Sequence, residues 1–338
     1  MAVKSHMAIE PGMKVAAQMA CEPSEEDFQF VQQMGVECAV IWVDAAKASA
    51  EYYTARRDDF ARHGIQLYGL GNNGVHNVAE ITLNLPGRDE KVEEYKRHIR
   101  NLGAANIPYT TYAHMANGVW STPAEMTRGG AKARAFDLNR LHEGGGGLGF
   151  GTVPNLNRDY EEEELWDNFT FFAREVAPVA EEAGVRIGIH PDDPPGVKLG
   201  RVPRPIFSSF AGYKRAMEIA DSSNIGLCLC LGCWLEGGES MGETVEETIR
   251  YFGGQQKIFK VHYRNVDKPL PHFVETFVDD GYFDMYRAMK VLGEVGFDGA
   301  LIPDHVPQMG DDPRLGTAYT IAYMRALQQR AEAELAAA

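Results

Sequence analysis

Eight short apolar runs, separated by helical patterns, constrain this chain more than any other feature. They read as strands over residues 13–19, 36–43, 64–70, 107–113, 185–190, 225–230, 258–262 and 299–303. Helical patterns fall between them at 46–62, 88–102, 160–183, 243–252, 282–295 and 316–337. An acid-rich helix start, Pro23-Ser24-Glu25-Glu26, follows the first strand. Strands alternating with helices predict a parallel sheet with helical crossovers, and a count of eight predicts closure into a (β/α)8 TIM barrel. An open doubly wound sheet rarely uses eight such regular units. The 338 residues fit one barrel domain over 1–338, with 1–12 as an N-terminal extension. The segment 114–159, rich in Gly, Arg and Asn, is too long for an ordinary loop. It is predicted to be an insertion after strand four, serving as a lid or a dimer contact.

Charge and cysteine usage narrow the partners. A formal net charge of −15 without a long basic run argues against nucleic acid. Five cysteines, three of them within Cys228–Cys233, suit free thiols in a reducing compartment better than a disulfide framework. The N-terminus has no apolar signal core, and no run of about 18 apolar residues occurs, so no membrane partner is expected and the protein is placed in the cytoplasm.

In such a barrel the carboxyl ends of the strands build the active site. The run Ile187-Gly-Ile-His-Pro-Asp-Asp-Pro-Pro195 is a strand that delivers His190 and then stops, because proline cannot continue the ladder. Asp192 and Asp193 are left on a stiff loop. The next three strand ends carry Cys230, His262 and Asp304. Two imidazoles, a thiol and a carboxylate on adjacent strands predict a divalent-metal site. Each has an ordinary reading too: a hydrogen-bonded histidine, a helix-capping aspartate, a buried cysteine acting as a small hydrophobe. Four such ligand types at consecutive strand ends are hard to obtain from independent ordinary causes. Within Cys228-Leu-Cys-Leu-Gly-Cys233, Cys230 is nearest the carboxyl end on the inward face; Cys228 lies deeper and Cys233 is a rival in the loop. An iron–sulfur cluster would need a fourth thiolate, and the other cysteines sit on strand two and before the first helix.

The series His190-Pro-Asp-Asp-Pro-Pro, Gly226-Leu-Cys-Leu-Cys-Leu-Gly, Val261-His-Tyr-Arg-Asn-Val and Ile302-Pro-Asp-His305 resembles the mannonate dehydratase family. The likeness is dense from about 185 to 323, and thinner at Val75-His76 and from Gly87 to Gly103. It implies a xylose-isomerase-like barrel that converts D-mannonate to 2-keto-3-deoxygluconate and water. It also implies a divalent ion, usually manganese, on His190, Cys230, His262 and Asp304, with iron, cobalt and zinc open because one ligand is a thiolate. A homodimer and a small-molecule sugar-acid substrate follow from the same resemblance.

Removing water from an aldonate requires neutralising the carboxylate while the C2 proton leaves, a base for that proton, and an acid for the departing C3 hydroxyl. Arg264, two residues after His262 and on the same strand face, is expected to help the ion with the first. His305 and Tyr319 are the family's matching acid–base candidates, Tyr319 as base and His305 as acid. His76, His114, Asp192 and Arg201 are expected to touch substrate. Where the family has Tyr-Asn-Phe-Met-Pro after strand four, this chain has Tyr112-Ala-His-Met-Ala116, and Asn77-Val78 replaces the usual acidic pair. Contacts around C4 to C6 of the sugar are therefore expected to differ. Two other readings compete: a metal-dependent sugar isomerase or epimerase of the same superfamily, and a metal-binding barrel without catalysis.

Overall fold

The computed structural model describes residue 7 and residues 9–115, 118–146, 158–199 and 201–337. Its parallel strands are β1 (Lys14–Val15 and Ala17–Met19), β2 (Cys38–Val43), β3 (Gln66–Asn72), β4 (Tyr109–Tyr112), β5 (Arg186–Ile189), β6 (Ile225–Cys230), β7 (Ile258–Tyr263) and β8 (Ala300–Pro303). The two halves of β1 face different neighbours. Lys14–Val15 pairs with β8 and Ala17–Met19 with β2, which closes the eight-stranded barrel.

The predicted helices form, with capping that explains their starts. Ser24 and Asp27 make a capping box before Glu25–Gln33, and Thr244 and Glu247 make another before Val245–Gly254. Glu162–Ala183 ends at Gly184, whose φ of +70° suits a residue without Cβ. Short helices at Ala79–Thr82 and Leu231–Gly237 were not expected from the sequence, nor was the longer Phe210–Ala220. It starts at Ser209, which accepts from the Gly212 amide, and it buries Gly212, Tyr213, Ala216 and Ala220.

Inward-facing side chains alternate along the strands except at Tyr68 and Phe259, where the register shifts by one residue, so the interior and the site are two levels of one pattern. The lower level is Ala16, Val40, Tyr68, Tyr109, Phe259, Ala300 and Ile302. Tyr68 and Tyr109 stack there with ring centroids 5.3 Å apart. Glycines make the room: a Cβ at Gly188 would lie 2.5 Å from the Tyr109 hydroxyl, and one at Gly69 would lie 2.6 Å from its ring. One step further along the strands come Gln18, Trp42, Thr111, His190, Cys230, His262 and Asp304.

The irregular segment after β4 has its own order. Trp120–Thr127 and Ala131–Asp137 form an antiparallel hairpin, extended by His272–Thr276 from the loop after β7. Asn265–Val266 and Gly145–Gly146 complete this second sheet among the described residues. Of the segment 114–159, residues 116–117 and 147–157 lie outside the described residues, as does most of the extension 1–12.

Truncating the stacked interior is expected to be costly. Tyr68→Ala should lower unfolding stability by about 3–5 kcal/mol in a urea titration, since it empties a filled layer and removes the hydroxyl that donates to the Phe259 carbonyl at 2.5 Å. A loss below about 1 kcal/mol would mean that the layer collapses freely.

Candidate active site

Parallel register fixes who meets whom at the carboxyl ends. Cys230 on β6 sits opposite His262 on β7, and His262 sits opposite Ile302, two residues before Asp304. His190 follows β5, its amide bonded to the Tyr112 carbonyl. The result is a buried cluster in which donor atoms of His190, Cys230 and His262 all lie within 4.8 Å of one another. Asp304 joins through His262, with Oδ2 3.3 Å from Nδ1.

The outer contacts of each imidazole set which nitrogen faces the cluster. His190 Nδ1 is 2.7 Å from the Pro191 carbonyl, so it carries the proton and leaves Nε2 as the acceptor. His262 Nε2 is 3.4 Å from Cys228 Sγ, which leaves Nδ1. These two acceptor nitrogens stand 3.1 Å apart. Two lone pairs at that distance repel unless a cation or a proton lies between them. The spacing matches neighbouring ligands on an ion with bonds of about 2.1 Å. Burial opposes ionisation of Cys230, but the Cys233 thiol, Arg264 and both imidazoles outweigh it and hold the Cys230 thiol well below its ordinary range. Burial likewise opposes the Asp304 carboxylate, and His305, His262 and Arg264 hold it well below the usual value. Two imidazoles, an easily ionised thiol and an ionised carboxylate fit a divalent ion.

Around this cluster lies a buried charge network. Arg264, 3% exposed, donates through Nε to Asp304 (2.9 Å), through Nη1 to Glu236 (2.5 Å) and Glu275 (2.6 Å), and through Nη2 to Asp193 (2.6 Å) and the Cys233 sulfur (3.3 Å). A second guanidinium, Arg134 from the hairpin, shares the same acids: Glu275 at 2.8 Å, Glu236 at 3.3 Å, and Asp193. Burial pushes the Glu236 carboxyl up to about 8 against the pull of both arginines. His305 closes the network, its Nδ1 2.8 Å from Glu275 Oε1. It does so with φ at +44°, a left-handed conformation that is costly for a residue with a Cβ.

A cavity of about 540 Å³ opens above the cluster. His76, His190, His262, Asp304 and His305 line it, joined by Gln18, Trp42, Asn73, Thr111, Met115 and Thr317. Several expected residues stand elsewhere. Arg264 is not part of the cavity lining, because its N–H groups are spent on carboxylates and a thiol, Asp304 among them. His114 is buried between Phe169 and Phe207, with Nδ1 2.9 Å from the Tyr112 hydroxyl. Asp192 turns away to the Ser208 hydroxyl at 2.9 Å. Arg201 is exposed. Tyr319 packs on Phe277 with its hydroxyl 3.4 Å from Arg128, which is paired to Asp279; it stands behind the cavity wall that Thr317 lines. Sequence reasoning missed Arg134, Glu236, Glu275 and Lys260. Only Lys260 left a signal, since Lys260-Val-His-Tyr-Arg264 puts two cations and a histidine on one strand face.

Fold and site together define a xylose-isomerase-like TIM barrel with a buried, metal-type donor cluster at the ends of β5 to β8. A family model described as D-mannonate dehydratase (UxuA) matches residues 150–334. Mannonate dehydratase 2 of Halalkalibacterium halodurans is 31% identical over 279 residues, covering 75% of this chain and 78% of that protein. The chain belongs to the D-mannonate dehydratase family, and with it to the carbon–oxygen lyases that remove water. The crystal structure of mannonate dehydratase from Streptococcus suis serotype2 superposes with a TM-score of 0.83 at 24% identity, covering 96% of each chain. A xylose isomerase domain protein from Planctomyces limnophilus superposes with a TM-score of 0.61 at 12% identity, covering 96% of this chain and 99% of that one.

Removing one guanidinium leaves buried acids facing each other. Arg264→Met is expected to cost about 3–5 kcal/mol of stability by chemical denaturation. A change below about 1 kcal/mol would show that the acids simply take up protons.

Proposed function

We propose that this chain removes water from a sugar acid, D-mannonate or a related aldonate, to give the 2-keto-3-deoxy acid. The observation that carries this reading is the meeting of His190, Cys230, His262 and Asp304 in one buried cluster, three of whose members, His190, His262 and Asp304, line a cavity that also holds His305. These four residues would hold a divalent ion, with manganese the first choice and iron, cobalt and zinc compatible with a thiolate ligand. When bound, the ion supplies positive charge against the carboxylate and the negative charge that develops as the C2 proton leaves. No lysine or arginine lines the cavity among the described residues, which leaves that charge to the ion and the imidazoles.

The chain's own groups handle the protons. His305 donates Nδ1–H to Glu275, and pairing with a carboxylate favours the imidazolium. Nε2 is then the proton donor for the departing C3 hydroxyl. Tyr319 is the base for the C2 proton in this reading, carried by the family resemblance alone; its hydroxyl lies 3.4 Å from Arg128 and its side chain is not part of the cavity lining. His76 lines the cavity with its Nδ1 3.1 Å from the Thr111 carbonyl and meets the substrate's distal hydroxyls. The five cysteines are free, which supports a reducing cytoplasm; a homodimer is proposed from the family resemblance, and light scattering tests it.

The second reading, an isomerase or epimerase, is favoured by Tyr112-Ala-His-Met-Ala116 where the family carries a carboxamide. Manganese-loaded protein incubated with aldonates and ketoses in D₂O, followed by NMR, separates them. A 2-keto-3-deoxy product is expected; epimer formation or exchange without dehydration would overturn the proposal. His190→Ala should lose most of the bound metal by elemental analysis. His305→Asn and Tyr319→Phe should each lower kcat by at least about 10²-fold. An unchanged kcat in either variant removes that residue from the proton chemistry.

A further inference from the structure

Arg134 lies 130 positions before Arg264 in the chain, yet the two guanidiniums grip the same three acids. Arg134 is borne by the hairpin strand Ala131–Asp137, while Arg264 directly follows the barrel strand β7. The root of Arg134 is fixed to its own hairpin. Nε donates to the Ser121 hydroxyl at 2.8 Å, and Nη2 donates to the Trp120 carbonyl at 2.9 Å. Its tip then reaches Asp193, Glu236 and Glu275. Glu275 is borne by the strand His272–Thr276, which pairs with the strand of Arg134, Val274 opposite Ala135.

Two of these shared acids lead straight to groups that the proposed reaction uses. Glu275 Oε1 receives Arg134, Arg264 and the Nδ1 of His305. Arg264, held by all three acids, donates Nε to Asp304. Without Arg134, one guanidinium would have to satisfy three buried carboxyl groups. Asp193 and Glu236 would then draw Arg264 away from Asp304, and Glu275 would lose a donor that now fixes its oxygen beneath His305.

We propose that Arg134 is a positioning residue for the dehydration: by sharing Asp193, Glu236 and Glu275 with Arg264, it sets the Asp304 carboxylate toward the metal-type cluster and the His305 imidazole toward the cavity. The seating of the hairpin and the alignment of the site are then one event. This inference rests on the dehydratase reading but concerns a residue that touches neither substrate nor ion.

The test compares wild type, Arg134→Met, Arg134→Lys and Ser121→Ala, each as full-length, manganese-loaded protein. The aldonate used is the one that wild type dehydrates; wild-type inactivity across all aldonates would sink the dehydratase reading itself and is seen before any variant is made. For Arg134→Met, kcat per metal-loaded molecule should fall by about 10²-fold with KM within about threefold, and manganese should bind about 10-fold more weakly by titration. Arg134→Lys keeps a charge but cannot span three acids and two hairpin acceptors, so it should recover only part of the lost kcat. Ser121→Ala removes one anchor and should stay within about threefold of wild type. A purely structural role would lower the yield of folded protein while leaving kcat and metal affinity per folded molecule at wild-type values. That result, in Met or in Lys where Met fails to fold, overturns the proposal.

Discussion

Desolvation governs how this site is built. Metal-type donors and proton-moving groups gathered at one end of a barrel are taken out of water together, and a buried charge without a partner is among the most costly features a fold can carry. Here the answer is mutual pairing. Arg264 and Arg134 stand among Asp193, Glu236 and Glu275, and the same guanidinium that balances those acids also holds Asp304. Orientation and charge balance thus come from the same contacts, which is why Arg264 has no N–H left for substrate.

The barrel supplies the rest through parity. Strand side chains alternate, so once His262 faces inward, Lys260 and Arg264 do too, and the register with β6 brings Cys230 alongside. The lower interior is filled by stacked tyrosines from β3 and β4 that need Gly69 and Gly188 beside them. A tightly packed floor keeps the ligand-bearing strand ends from sinking or shifting, and precision at the rim depends on it.

What could be read from the sequence follows this division. His190, Cys230, His262 and Asp304 were legible because each ends a strand, and strand ends can be counted without knowing what lies opposite. Arg264 was legible as to face and wrong as to partner, since its acids come from a short helix, a stiff loop and a strand after β7. Glu236 and Glu275 look like ordinary surface acids in the sequence. Arg134 sits in a segment whose length suggested a lid but whose hairpin register no periodicity revealed. Helix Phe210–Ala220 went unseen because the run with Pro203 and Pro205 before it reads as continued loop. Local patterns specified the elements; contacts between distant elements decided which charges meet.

The same charge economy bears on substrate. The second half of the barrel gives the cavity its donor cluster, whereas β1 to β3 and the turns after them give Gln18, Trp42, Asn73 and His76. Burial pushes the His76 imidazole well down, so its ring is neutral at ordinary pH. That wall offers neutral hydrogen-bonding groups and an aromatic face, which suit hydroxyls and C–H edges and give no fixed charge to a terminal phosphate. In the dehydratase reading, a sugar acid therefore lies with its carboxylate toward His190, Cys230 and His262 and its polyol tail toward β1 to β3. The departures at His114 and Asn77 do not alter the first contact. His114 is walled in by Phe169 and Phe207, and the Asn77 side chain accepts from the Met115 amide, so both act by shaping the loop that presents Met115 to the cavity. In that same reading, selection among aldonates falls to the tail wall and that loop, and the lyase chemistry to the strand ends.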